Sequence, residues 1–101
     1  MIDSIRKMLG LNPRENMAEL ISNGATIIDV RTREEFRSGH VEGSLNIPLD
    51  QLASGMKKIK NKEQVIITCC ASGMRSATAK AILKSQGYLK VHNGGSWRNL
   101  I

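Results

Sequence analysis

Apolar and polar positions follow two periods along this chain, helical in some stretches and strand-like in others. Met17, Leu20 and Ile21 recur at helical spacing behind Asn12-Pro13, a pair suited to capping and starting a helix that runs to about Ser22, where Asn23-Gly24 stops it. Thr26-Ile-Ile-Asp-Val30 reads as a short buried strand. In Thr32-Arg-Glu-Glu35 the threonine can accept from the Glu35 amide while Glu35 reaches back, a capping box for a short helix that Gly39 ends. His40-Val-Glu-Gly43 is turn-like, and Ser44-Leu-Asn-Ile-Pro48 is a second extended segment. Asp50 to Ile59 predicts a helical connection interrupted near Ser54-Gly55. Gln64 to Cys69 is the most strand-like run, and its continuous apolar character is that of a central parallel strand covered on both faces. Ser76 to Gln86 predicts a helix with Ala79, Ile82 and Leu83 on one stripe and Gly87 just past its end. Leu89 to His92 is expected to form a last strand, followed by Asn93-Gly94-Gly95 and a short tail.

This alternation predicts an α/β layer fold. The length of 101 residues fits one domain over residues 1–101, with residues 1–11 as an N-terminal extension readable as a short amphipathic helix through Ile2, Ile5 and Leu9. That opening has neither a long apolar core nor a small-residue cleavage site, and no stretch approaches membrane-spanning length. The expectation is a cytoplasmic protein without a membrane partner.

The net charge of +6 favours anionic partners in general. Nucleic acid is not expected, because the basic residues are scattered apart from Lys57-Lys58-Ile-Lys60-Asn-Lys62, which reads as a solvated helix end. The aromatics are only Phe36, Tyr88 and Trp97, too few for a base-stacking platform. A small anion or an acidic patch on a partner accounts for the charge equally well.

The candidate chemistry lies in Val65-Ile-Ile-Thr-Cys-Cys-Ala-Ser-Gly-Met-Arg-Ser76. The two cysteines, Cys69 and Cys70, are adjacent, so their Cα atoms stand about 3.8 Å apart, below the roughly 4.4–6.8 Å that disulfides prefer. Metal-ligand spacing is absent, and reduced thiols in a reducing compartment fit best. A strand that ends in cysteine, a small-residue loop and a helix start together aim backbone amides and a guanidinium at one sulfur, which lowers a thiol's pKa and makes it a nucleophile. The loop amides of Ala71, Ser72, Gly73, Met74 and Arg75 can curl into an anion-binding nest, with Ser76 as a cap or a donor to the sulfur. Two frames remain open on the residues alone. From Cys70 the motif is Cys-x-x-Gly-x-Arg-Ser; from Cys69 it is Cys-x5-Arg, the spacing of cysteine-dependent phosphatases and arsenate reductases.

The chain resembles the rhodanese family of sulfurtransferases in its single-domain form. The resemblance rests on Asp29-Val30-Arg31 with Glu35-Phe36, on Gly39-His40-Val-Glu-Gly43-Ser-Leu-Asn-Ile-Pro48, on Cys70-Ala-Ser-Gly73-Met-Arg75-Ser76, and on Gly87-Tyr88 and Asn93-Gly94-Gly95 with Trp97. It implies an open parallel sheet of about five strands flanked by helices on both faces. It also implies the Cys70 frame, with Cys69 at a variable position of the strand; phosphatase-type relatives usually carry histidine before the cysteine, where this chain has Thr68. By carry-over Cys70 takes sulfane sulfur from thiosulfate or a persulfide and passes it to cyanide, a thiol or a sulfur-relay protein, with the loop from Ala71 to Ser76 binding the anion and no metal or organic cofactor. Thiosulfate-specialised relatives often carry a basic residue inside the loop, whereas Ala71, Ser72 and Met74 are neutral.

Asp29 and Arg31 are expected to brace the loops as a hydrogen-bonded charge network, Glu35 has its role in the capping box, and His40 is expected to be a strut within its turn. Cys69 is expected to face away from the pocket, because successive strand side chains alternate. A phosphatase-like enzyme using Cys69 and a non-catalytic binding module stand as the alternative functions.

Overall fold

A computed structural model describes residues 13–101; the helix expected within residues 1–11 lies outside them. Helix α1 spans Pro13–Ser22 and ends as its sequence requires: Gly24 takes a φ of 93°, and the amides of Gly24 and Ala25 return to the carbonyls of Ile21 and Leu20. Strand β1 (Thr26–Asp29) follows, then α2 (Arg33–Ser38), β2 (Leu45–Asn46), and a run of tight turns around α3 (Leu52–Gly55). Strand β3 (Ile66–Cys70), helix α4 (Met74–Ser85), strand β4 (Val91–Ser96) and a closing 3₁₀ turn (Trp97–Leu100) complete the chain.

The four strands form one parallel sheet in the order β2-β1-β3-β4. Side-chain alternation along β1 and β3 divides the core into two layers. On one face Ile28, Val30, Ile66 and Cys70 pack with Leu52 and Met56 from the α3 region and with Ala79 and Leu83 of α4. On the other, Ile27, Ile67 and Cys69 pack with Met17 of α1 and with Leu100, while Leu20, Ile21 and Trp97 close the edge. Each fully buried aliphatic side chain contributes about 1.5–3 kcal/mol, so β3, buried at every position, is the anchor of the sheet.

Three boundaries differ from expectation. The described residues hold four strands rather than about five, because the chain between Ile47 and Val65 is spent on helical turns and Pro13–Ser22 is helix. Helix α4 begins at Met74 instead of Ser76, with Gly73 in a left-handed conformation (φ 100°) as its entry residue. Asn93-Gly94-Gly95, expected to follow the last strand, lies inside β4, where the pairing with β3 shifts register between Thr68 and Cys70. The glycines serve close packing: a Cβ at Gly94 would stand 2.7 Å from Ile67 Cγ2 and 3.1 Å from the Thr68 carbonyl oxygen.

Candidate active site

Strand order places the site. The chain leaves β1 toward β2 on one side and returns to β3 on the other, so the loops after β1 and β3 diverge at the carboxyl edge of the sheet, where open α/β sheets leave a crevice. Cys70 ends β3 at that edge, and the following loop turns over its sulfur. The Gly73 amide donates to Cys70 Sγ at 2.9 Å, and Ser76 Oγ lies 3.5 Å from the same sulfur. Only a glycine fits this turn readily, since Gly73 needs positive φ and a Cβ there would approach Gly95 Cα to 3.3 Å.

Burial pushes the Cys70 thiol up. The Ser76 hydroxyl, wherever its proton turns to the sulfur, and the amides of Ser76, Gly73 and Ser72 act in the opposite sense and bring it below the ordinary thiol value. Cys69 differs. Its sulfur sits on the opposite face of the sheet, and burial, followed by the charge of Asp29, pushes it up to about 12 against the pull of Arg31.

Ser76 is itself fixed. Thr68 Oγ1 donates to the Ser76 carbonyl at 2.9 Å, and Ser76 Oγ donates to Asn93 Oδ1 at 2.6 Å. Of the remaining loop residues, Ala71, Ser72 and Met74 are exposed to solvent, Met74 with 78% of its surface free.

Arg75 departs from the sequence expectation. Its guanidinium does not hydrogen-bond the sulfur; it grips Glu35, with Nη1 on Oε1 at 2.7 Å and Nη2 on Oε2 at 3.0 Å. Glu35 also completes the capping box of α2, accepting from the Thr32 amide while Thr32 Oγ1 accepts from the Glu35 amide. The Arg75 side chain, then the Thr32 amide, hold the Glu35 carboxyl at about 2. Beside this pair opens a groove of about 370 Å³ lined by Val30, Thr32, Pro48, Leu49, Asp50 and Arg75.

Asp29 and Arg31 form a buried brace. Arg31 Nε and Nη2 engage both Asp29 carboxylate oxygens at 2.8–3.1 Å, while Nη1 and Nη2 donate to the carbonyls of Glu35 and Gly39. Asn46 Nδ2 donates to the carbonyls of Asp29 and Arg31, and the Trp97 ring covers the guanidinium at 4.7 Å. Gly39 is required because Trp97 Cη2 would stand 3.0 Å from any Cβ there. His40 stacks on Phe36 at 3.7 Å and pairs its Nδ1 with the Phe36 carbonyl; it makes no hydrogen bond to the loop from Ala71 to Ser76.

Sequence reasoning missed two residues. The sequence puts Asn93 just after the last strand, and its contact with Ser76 depends on β4 continuing through the glycines. The second role of Glu35 carried a signal: a carboxylate in the first turn after β1 faces the same crevice as any loop after the neighbouring parallel β3. Among the described residues no helix is long and apolar enough to cross a membrane.

The chain thus folds as a parallel α/β sheet with cysteine at the end of a central strand, covered by a loop that leads into a helix. The Rhodanese-like domain family matches residues 13–97, and the chain belongs to that family. It is 34% identical over 74 residues to the thiosulfate sulfurtransferase PspE of Escherichia coli (strain K12), covering 72% of this chain and 71% of that protein. To the human thiosulfate:glutathione sulfurtransferase it is 31% identical over 93 residues, covering 78% and 81%. A solved structure of a rhodanese with anions from E. coli superposes with a TM-score of 0.70 at 32% identity, covering 75% of this chain and 91% of that one.

Proposed function

We propose that this chain is a sulfurtransferase that carries sulfane sulfur on Cys70. The observation that supports it most is the setting of that sulfur: it ends β3 under the Gly73 amide at 2.9 Å and beside Ser76, whereas Cys69 faces the opposite core layer. Such a cradle favours a thiolate, and it favours equally the terminal sulfur anion of a persulfide. In the first half-reaction the Cys70 thiolate attacks the outer sulfur of thiosulfate; a new S–S bond forms, the old one breaks, and sulfite leaves with the electron pair. In the second, cyanide or a thiolate attacks the outer sulfur of the persulfide, and thiocyanate or a new persulfide leaves while Cys70 returns as thiolate. The two steps give ping-pong kinetics.

The groove beside Arg75 is the place for the acceptor, a low-molecular-weight thiol or the thiol of a sulfur-relay protein. A thiol that must stay reduced between turnovers suits a reducing compartment such as the cytoplasm. The test is thiocyanate formation from thiosulfate and cyanide. Parallel double-reciprocal lines, with activity lost in Cys70→Ser and kept in Cys69→Ser, support the reading; activity that survives in Cys70→Ser would sink it.

A further inference from the structure

Ser76 has one hydroxyl proton and two neighbours that compete for it. Asn93 Oδ1 lies 2.6 Å from Ser76 Oγ, and Cys70 Sγ lies 3.5 Å away. The orientation of the Asn93 amide decides between them. Gly95 N–H donates to Asn93 Oδ1 at 2.9 Å, and Asn93 Nδ2 donates to the Gly73 carbonyl at 3.2 Å. A flipped amide would set donor against donor at Gly95 and acceptor against acceptor at Gly73, so the oxygen faces Ser76. An amide oxygen can only accept, which commits the Ser76 proton to Asn93. What Ser76 turns toward Cys70 is then a lone pair, suited to accept from a thiol and unsuited to hold a thiolate.

We propose that Asn93 is a positioning residue that competes with the Cys70 thiolate for the single proton of Ser76 and thereby sets how readily the nucleophile forms. Support for the thiolate then falls on the backbone amides, led by Gly73, which cannot turn away. The same asparagine grips the Gly73 carbonyl, so one side chain on β4 governs both the loop's position and the direction of the serine hydroxyl. The surroundings leave this balance exposed. The charged group coupled to Cys70 is Arg75, and its charge is paired with Glu35; Cys69 behind it on β3 stays protonated. From α4 and β4 the groups that reach the sulfur's surroundings by hydrogen bonds are Ser76 and Asn93, both neutral.

The inference rests on Cys70 being the reacting thiol, yet its test reads the proton arrangement whether or not sulfur is transferred. The pH dependence of iodoacetamide alkylation, localised to Cys70 by peptide mass, is measured for wild type, Asn93→Ala, Ser76→Ala and the double variant. Asn93→Ala releases the hydroxyl to the thiolate, so its alkylation midpoint moves to lower pH and its rate at pH 7 rises several-fold. The double variant loses that gain. Ser76→Ala moves the midpoint downward or not at all, because the hydroxyl was not donating to the sulfur. A midpoint that rises in Ser76→Ala, or an Asn93→Ala profile that stays in place or shifts upward, overturns the proposal. Should Asn93→Ala fail to fold, the direction of the Ser76→Ala shift alone decides.

Discussion

Glu35 and Arg75, forty residues apart in sequence, join the first turns of α2 and α4 through two hydrogen bonds of 2.7 and 3.0 Å. One carboxylate thus caps the helix that follows β1 and anchors the first turn of the helix that follows Cys70. The cation expected to face the sulfur is held by Glu35 instead, at the edge of the groove beside β1.

Glu35→Ala removes both the capping box and the ion pair. The pair is about one-third exposed on each side, so it adds under about 1 kcal/mol, and the lost cap adds about 1 kcal/mol more. Urea unfolding is expected to show a loss of roughly 1–2 kcal/mol, with Glu35→Gln losing less. The folded-state carboxyl lies near 2 against an ordinary 4.5. Its contribution is therefore fully present above pH 4.5 and disappears as pH falls toward 2, a dependence that the Glu35→Gln protein lacks.

The Asp29–Arg31 pair is buried and saturated with hydrogen bonds. Arg31→Ala leaves the Asp29 carboxylate uncompensated and is expected to cost about 3–5 kcal/mol in denaturant unfolding, against a far smaller loss at an exposed residue such as Arg37.

At Gly73 a side chain meets both positive φ and the Gly95 backbone. Gly73→Ala is expected to destabilise by about 1–3 kcal/mol. It also draws the amide off the sulfur, so the alkylation midpoint of Cys70 rises. Unchanged alkylation in a folded Gly73→Ala protein would show that this amide does not hold the thiolate.

The two cysteines should separate by labelling. Both are fully buried, so labelling separates them by thiolate formation: at pH 8 iodoacetamide is expected to modify Cys70 in the native protein well before Cys69, which is pushed up to about 12 in the opposite core layer.

The residues whose roles were legible in the sequence act through local chemistry. The Thr32–Glu35 box, the glycine stop after α1, the apolar run of β3 and the alternation that separates Cys69 from Cys70 each follow from neighbours in the chain. What was hidden depends on packing between distant segments. Asn93-Gly94-Gly95 carries a turn composition, yet its small size is what lets β4 lie against Ile67 and Thr68 and bring Asn93 to Ser76. The start of α4 at Met74 depends on Gly73 adopting a conformation that sequence permits without demanding. The capture of Arg75 by Glu35 depends on β1 and β3 being neighbours, which strand order sets and local pattern does not.

Whether Cys70 carries sulfur can be read from intact-protein mass after incubation with thiosulfate. Wild type and Cys69→Ser are expected to gain the mass of one sulfur atom, lost again on adding cyanide, while Cys70→Ser gains none. A sulfur adduct on Cys70→Ser, or none on wild type with either thiosulfate or a low-molecular-weight persulfide as donor, would contradict the account.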